Sequence, residues 1–236
     1  MPFNRELSLK QLLKAVEQGL LPFELVKSVE SRLPLLSKAI ERVEKASSLQ
    51  YPPVEISPIL KVLHFPSVEF MGSAVYAYLD LLERSTGEYQ LAVVFSAPLV
   101  LYAKEETLAA CAAHEFLHYV YFTLKLYEAK YFDLSIQSVV APEVYEAFDD
   151  QSLVNPIEWL QGDQELIQLL QEVFNGSIHD NALEEATTTQ WIKQGLPVLN
   201  IAADEHKLRV PISALESIQL DQKVLEYAKS KGLLSL

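Results

Sequence analysis

Apolar residues in the first part of the chain recur at helical spacing in two segments. The first is predicted as a helix over Leu9–Gln18, because Ser8 suits an N-cap. The second is predicted over Phe23–Ala46, with a kink or a break at Pro34. A helical hairpin that serves as packing or partner surface is therefore expected at 1–50.

The pattern changes after the linker 47–53, where β-branched and aromatic residues become frequent. Strands are predicted at 54–65 and 89–102, while 73–82 fits strand and helix periods equally well. Pro98 interrupts the run at 89–102, which is typical of an edge strand or of the end of a strand.

The second half of the chain contains further amphipathic segments. Helices are predicted at Gln164–Phe174, Asn181–Gln194 and Gln222–Lys231, because each is followed within two residues by a glycine that suits a helix C-terminus. A strand pattern also fits Lys207–Ile212.

The most informative segment is 107–122, which has no Gly or Pro and is rich in Ala and Leu. This composition favours a helix that continues toward Tyr131. Inside the segment, His114, Glu115 and His118 form the pattern H-E-x-x-H. The residues around them are mostly small or apolar, as in a helix that passes through the centre of a domain.

Positions i and i+4 of a helix lie on one face, so the imidazoles of His114 and His118 can converge on one point. Such a pair suits two corners of a tetrahedral Zn²⁺ site. Glu115 can then reach a water bound to the metal and act as its general base. The alternative is a buried helix whose histidines only satisfy local hydrogen bonds, since buried polar groups need partners.

A strand at 89–102 followed by the H-E-x-x-H helix resembles the zincin metallopeptidases. The resemblance covers 89–122 and extends loosely to 183–192. It implies a peptidase in which an edge strand pairs with an extended peptide substrate beside the metal. The metzincin subclass is excluded, because Tyr121 and Leu124 stand where its glycine and third histidine would be.

In gluzincin-type members the third zinc ligand is a glutamate on a later helix, and the resemblance places it at Glu185 or Glu184. Both share a helical face with Thr188, Trp191 and Ile192, where a buried acid would need a partner such as a metal. Glu185 is slightly favoured. Both glutamates also fit the role of surface acids that bind no metal. The other acidic candidates are Glu143, Glu146, Asp149, Asp150, Glu158, Asp163, Glu165, Glu172 and Asp180.

Several other side chains are candidates for supporting roles. His179 is a rival ligand or a stabiliser of the transition state. A donor that stabilises an oxyanion must lie within hydrogen-bond reach of the developing charge, and the sequence does not choose among Tyr119, Tyr121, Tyr145 and His179. Cys111 is expected to be a small buried residue rather than a metal ligand.

Composition narrows the classes of function. The formal net charge of −13 argues against nucleic acid and against an anionic membrane surface as partners. A single cysteine excludes an internal disulfide framework and agrees with a reducing compartment. No apolar run is long enough to span a bilayer, and the first residues lack the apolar core of a secretory signal. A cytoplasmic location is therefore expected.

The expected fold is α+β and zincin-like. It is helix-rich, with a small mixed sheet whose edge strand precedes the H-E-x-x-H helix. Residues 1–50 would form the N-terminal helical hairpin, and residues 51–236 the metallopeptidase domain.

The expected function is zinc-dependent hydrolysis of peptide bonds in a peptide or protein substrate. His114, His118 and either Glu185 or Glu184 would bind Zn²⁺, and Glu115 would act as general base. Two rivals stay open. One is a zincin-like protein that keeps its metal but acts as a binding or regulatory module, and the other is a helical interaction protein without a metal.

Overall fold

The computed structural model describes residues 5–64, 72–83, 87–131, 153–202 and 217–234. These residues form a mixed structure in which helices dominate and two small mixed sheets are present. The predicted combination of many helices with a small mixed sheet is confirmed, but there are two such sheets instead of one. Within these ranges, no helix combines the length and the apolar character needed to cross a bilayer.

The N-terminal hairpin consists of α1 (Arg5–Glu17) and α2 (Phe23–Ser47). Its first helix begins earlier than the cap at Ser8 predicted. The second helix runs through Pro34 without the predicted break. Pro34 is exposed, so its ring does not disturb the opposite face, which is buried. The buried side chains of both helices belong to the same hydrophobic core as α4 (Glu105–Tyr131).

The first sheet is built around one central strand. Its strands are β1 (Val54–Ser57), β4 (Ala77–Glu83), β5 (Tyr89–Ser96) and β7 (Ile218–Gln219). Strand β5 runs parallel to β1 and β7 on one side and antiparallel to β4 on the other. The prediction of an edge strand at 89–102 is therefore wrong, because backbone pairing occupies both sides of β5.

The strand predicted over 89–102 also ends early. Ala97–Tyr102 form a short helix, α3, with Pro98 in its first turn. Proline suits this position because its fixed φ is helical and the first turn does not use its missing N–H. The side chain of Arg32 donates to the carbonyl oxygen of Val100 at 3.1 Å and so ties α3 to α2. Pro98 therefore follows the end of a strand, which was the second of its two predicted roles, and the edge-strand alternative is wrong.

The second sheet has three strands. They are β2 (Leu60–His64), β3 (Gly72–Val75) and β6 (Val198–Ala202), in the order β3, β2, β6. Strand β2 is antiparallel to β3 and parallel to β6. The strand predicted at 54–65 is therefore two strands in different sheets. The ambiguous segment 73–82 is resolved as strand, with a break at Tyr76.

Helix α4 occupies the centre of the described structure, as predicted for a helix that continues from 107–122 to Tyr131. It packs against α2, β4, β5 and a later helix, α6 (Gln164–Phe174). The remaining elements are α5 (Pro156–Trp159), α6 (Gln164–Phe174), α7 (Asn181–Ala186), a π-helix (Thr187–Ile192) and α8 (Gln222–Ser230). The strand predicted at Lys207–Ile212 lies outside the described residues.

Candidate metal centre

The side chains of His114 and His118 meet near the middle of α4. Their Nε2 atoms are 3.0 Å apart, and the two rings meet edge to face. Only 8% of His114 and 1% of His118 is exposed to solvent. The spacing of i and i+4 thus brings two ring nitrogens to one buried point.

This separation is close to that of two zinc ligands. Zinc–nitrogen bonds of about 2.0–2.1 Å at a tetrahedral angle place two ligand nitrogens about 3.3 Å apart. A distance of 3.0 Å is also that of a hydrogen bond between two neutral imidazoles. The geometry therefore fits both a metal-binding pair and a pair satisfied by its own hydrogen bond.

Burial favours the neutral form of His114. Its pKa is lowered to about 4 because the surrounding protein excludes water and penalises the charged ring. A neutral imidazole has a free lone pair, which is the form that binds a metal ion. No proton has to be removed from His114 near neutral pH before a metal can bind.

An aromatic ring covers His114. The ring of Phe174, the last residue of α6, stacks on the imidazole with a centroid distance of 3.8 Å and an interplanar angle of 8°. Phe174 itself is 39% exposed. On this side, the described structure thus separates the histidine pair from solvent by one aromatic ring.

Glu115 is a buried acidic residue of the same helix. It is 5% exposed, and its Oε2 has no hydrogen-bond partner within the described ranges. Burial raises its pKa to about 8. Burial raises the pKa of two neighbours, Tyr51 and Cys111, and the charge of Glu115 adds a smaller increase to both. A carboxyl group that exchanges its proton near neutral pH is suited to general acid and base chemistry.

Asp180 fixes how α7 meets α4. Its carboxylate accepts hydrogen bonds from the amide of Lys104 and the hydroxyl of Thr107, both at 2.8 Å, and from the amide of Leu183 at 3.1 Å. Burial alone would raise its pKa, but these donors outweigh burial and lower it. At 1.5 Å per residue, Thr107 lies about 10 Å along α4 from His114.

The helix that carries the predicted third ligands is oriented differently from the prediction. Glu184 and Glu185 are exposed, whereas Thr187 and Trp191 are buried. The predicted face that buries both glutamates together with Trp191 is therefore wrong. The reason is that α7 passes into a π-helix at Thr187, which changes the spacing of the residues that share a face.

Glu184 is near Tyr76. Burial is the main cause of the raised pKa of Tyr76, the hydrogen bond to Thr187 opposes it, and the charges of Glu184 and Cys111 add to it. Among the described residues, no third His, Cys, Asp or Glu completes a metal-binding group with the histidine pair. The assignment of the third ligand to Glu185 or Glu184 thus stays a prediction.

Some of the other acidic candidates have a described position and others do not. Asp163 is bound by Arg42, with hydrogen bonds of 2.6 and 3.0 Å, and caps the N-terminus of α6. Glu172 accepts a hydrogen bond from Gln168 at 2.8 Å, and the side chain of Glu165 is almost fully exposed. The acidic candidates Glu143, Glu146, Asp149 and Asp150 lie outside the described residues, and so does Tyr145, a candidate oxyanion donor.

Two of the proposed oxyanion donors have other contacts. The hydroxyl of Tyr119 donates to Asp221 at 3.3 Å, and the ring of Tyr121 packs edge-on against Phe122. His179 is exposed. None of these residues is placed beside the histidine pair by a contact within the described structure.

Sequence reasoning missed the roles of Phe174 and Asp180. Asp180 directly precedes the predicted helix at Asn181, so its N-cap role is visible in the sequence, but its bonds to the start of α4 are not. Phe174 ends an amphipathic helix far along the chain from His114. Nothing in the local pattern indicates its stacking partner.

No protein-family model matches this chain, and no curated protein or solved structure matches it either.

Proposed function

We propose that the chain is a zinc-dependent peptidase with a zincin-like arrangement of sheet and metal-binding helix. One observation supports this most directly. His114 and His118 bring two buried Nε2 atoms to within 3.0 Å beside a buried glutamate on the same helix. A pair of neutral imidazoles next to a carboxyl group with a pKa near neutrality is the donor set of a metal-activated water site.

The residues present fit the metal. Zn²⁺ prefers imidazole nitrogens, and the separation of the two Nε2 atoms is near that of a tetrahedral site. The unpartnered Oε2 of Glu115 would find its partner in a water held by the metal. When bound, zinc polarises a carbonyl group and lowers the pKa of its water. The third ligand is proposed to be Glu185 or Glu184, as the resemblance to gluzincins implies.

Glu115 carries the proton in this proposal. Its carboxylate accepts a proton from the attacking water and returns it to the leaving amine of the peptide. The apolar side chains around it, among them Phe116 and Leu117, are fully buried and keep bulk water away. In the metal-free protein this burial raises the pKa of Glu115 to about 8.

The substrate would have to pair with a strand other than β5. Strand β4 packs against α4 and pairs with β5 along one edge. Within the described ranges, the other edge of β4 has no strand partner. An extended peptide is proposed to add to this edge, with backbone hydrogen bonds that align it.

The decisive experiment is zinc stoichiometry by elemental analysis on protein purified without chelator. We expect about one zinc per chain, and loss of zinc in His114→Ala and His118→Ala. Glu115→Gln should keep its zinc and lose turnover of a peptide pool, because the amide cannot accept the proton. Glu185→Ala and Glu184→Ala test the third ligand, and only one of the two should lose zinc.

Absence of zinc from wild-type protein, with none taken up when zinc is added, would refute the peptidase proposal. Equal zinc and equal turnover in Glu115→Gln would refute the role of Glu115 while leaving the metal site intact. Zinc retained in both glutamate variants would exclude Glu184 and Glu185 as ligands.

A second candidate function is favoured by one specific observation. The distance between the Nε2 atoms is that of a hydrogen bond, so the histidine pair can be satisfied without a metal. In that case α4 is a core helix of an interaction protein. The stoichiometry experiment separates the two candidates, because this protein would bind no zinc.

A further inference from the structure

Access to the histidine pair is restricted in the described structure. The three polar residues of the H-E-x-x-H pattern are each less than one-tenth exposed. A peptide bond that is to be hydrolysed must reach this point, so a covering group has to move. Among the described residues, the ring of Phe174 lies flat against His114 and is partly exposed.

Phe174 is placed where a side chain can move. It is the last residue of α6, and 39% of its surface faces solvent although one face of its ring lies flat on His114. The residues that follow, 175–179, are exposed. They include Gly176, where a positive φ of 79° turns the backbone away from the helix axis.

The two ends of this connection are fixed. At the start of α6, Asp163 caps the helix and is bound by Arg42. At the far end, Asp180 binds the first turn of α4 through Thr107. Between these two anchors the segment 175–179 is exposed, and the amide of Ile178 donates to the carbonyl oxygen of Glu172 at 2.9 Å.

We propose that Phe174 is a gate that controls access of metal and substrate to His114 and His118. In the closed state, which the structure shows, the ring shields the imidazole of His114. In the open state the ring leaves His114, and the segment 175–179 moves with it while Asp180 stays bound. The gating of metal and substrate rests on the proposed function, whereas the shielding of His114 does not.

The shielding is tested on metal-free protein by the rate at which diethyl pyrocarbonate modifies each histidine, read by peptide mass spectrometry. In wild type, exposed His179 should react fast and His114 slowly. Loss of a stacked ring in Phe174→Ala should raise the rate at His114 about three- to tenfold and leave His179 unchanged. Phe174→Trp keeps an aromatic ring and should keep His114 protected.

Two controls separate a local gate from general loosening. Leu170→Ala removes a buried side chain from the same helix and destabilises the fold while it keeps the ring of Phe174. Phe23→Ala removes an exposed phenylalanine from α2. An unchanged rate at His114 in Phe174→Ala, or an equal increase in Leu170→Ala at matched stability, would overturn the proposal.

The proposed control of metal access by Phe174 is tested by the rate of zinc transfer from the protein to a chromophoric chelator. Phe174→Ala should release zinc faster than wild type by a factor similar to its change in His114 reactivity. If neither protein binds zinc, the proposed function fails and the reactivity measurement still decides whether Phe174 shields His114. If both bind zinc but release it equally fast, the gate fails and the peptidase proposal stands.

Discussion

Two buried carboxyl groups on and beside α4 have opposite surroundings. Asp180, at the first turn of the helix, accepts three hydrogen bonds, and its pKa is lowered despite burial. Glu115, two to three turns further along, has an oxygen without a partner in the described structure, and its pKa is raised to about 8. Both side chains are buried, and the hydrogen bonds to Asp180 explain why the two pKa values shift in opposite directions.

The difference separates a structural role from a chemical one. A buried carboxylate with a full set of donors is stabilising, because the donors replace the water it lost. A buried carboxyl group without donors costs stability and persists only if something else requires it. Asp180 thus holds two helices together, whereas Glu115 is the general base only under the proposed function.

The largest expected effect is the dependence of stability on pH that Glu115 causes. In metal-free protein, folded Glu115 keeps its proton up to about pH 8, whereas in the unfolded chain it titrates near its ordinary value of 4.5. Between these values the unfolded state binds fewer protons. The free energy of unfolding should therefore fall as pH rises, by at most about 1.4 kcal/mol for each pH unit.

Urea unfolding at several pH values in this window measures the slope, and Glu115→Gln is the matched control because its amide does not titrate. The slope should be clearly smaller in the variant. Identical slopes in both proteins would mean that Glu115 finds a partner in solution, and the contrast with Asp180 would disappear.

Removal of the satisfied carboxylate should have the next largest effect. Asp180→Ala deletes an N-cap and leaves the amide of Lys104 and the hydroxyl of Thr107 without their acceptor. We expect a loss of about 2–3 kcal/mol in the free energy of unfolding. The contribution of Asp180 is present above its ordinary pKa and is lost as pH falls, so its sign is opposite to that of Glu115.

The stability of Asp180→Ala is compared with that of Asp180→Asn by urea unfolding near neutral pH. Asparagine keeps an acceptor for the cap and should lose less. A loss below about 0.5 kcal/mol in the alanine variant would contradict the structural role, because caps and buried hydrogen bonds are worth more than that.

A partly exposed ion pair should have a smaller effect. Arg42→Ala removes two hydrogen bonds to Asp163, which caps the helix that carries Phe174. Since the pair is partly screened by water, a loss of about 1 kcal/mol is expected. Lys45→Ala is the matched control, because its pair with Glu41 spans 4.0 Å on the surface and should contribute almost nothing. Equal midpoints of thermal unfolding in the two variants would mean that the ion pair of Arg42 with Asp163 does not stabilise the fold.

The smallest effect on the free energy of unfolding is expected for a change at Tyr51, which lies close to Glu115. Tyr51→Phe keeps the ring that stacks near Phe116 and removes only the hydroxyl that donates to the carbonyl of Ala112 at 2.9 Å. A loss of about 0.5–1 kcal/mol is expected by urea unfolding. Tyr102→Phe should be neutral, since that hydroxyl makes no hydrogen bond within the part of the chain described. A larger loss in Tyr102→Phe than in Tyr51→Phe would contradict this ordering.

Local pattern was enough to predict the long helices and the convergence of His114 and His118. Helical spacing fixes both, because it depends only on neighbouring residues. The same approach left two alternatives open at Pro98, since proline suits both an edge strand and the end of a strand, and the structure shows the second. The pairing of β5 with β1 and β4 depends on residues distant in sequence, so no local signal revealed that its edges are filled.

The candidate site shows the same division. The two histidines and Glu115 follow from one pentapeptide, whereas the face presented by Glu184 and Glu185 depends on where a π-helix begins. A π-helix is a change of one hydrogen-bond register, and the pattern at Thr187 does not predict it. The stacking of Phe174 on His114 joins two helices through tertiary packing and was likewise beyond the sequence.

The second sheet sets an order of events for a nascent chain. Strand β2 pairs with β6 from Leu60 and Val198 onward, so its partner is synthesised long after it. At typical rates of translation the delay is on the order of ten seconds. During that time β3 is the one partner that β2 has among the described strands, and its other edge is open to strands of other molecules. Synthesis of β6 therefore closes an edge at which newly made chains can pair with one another.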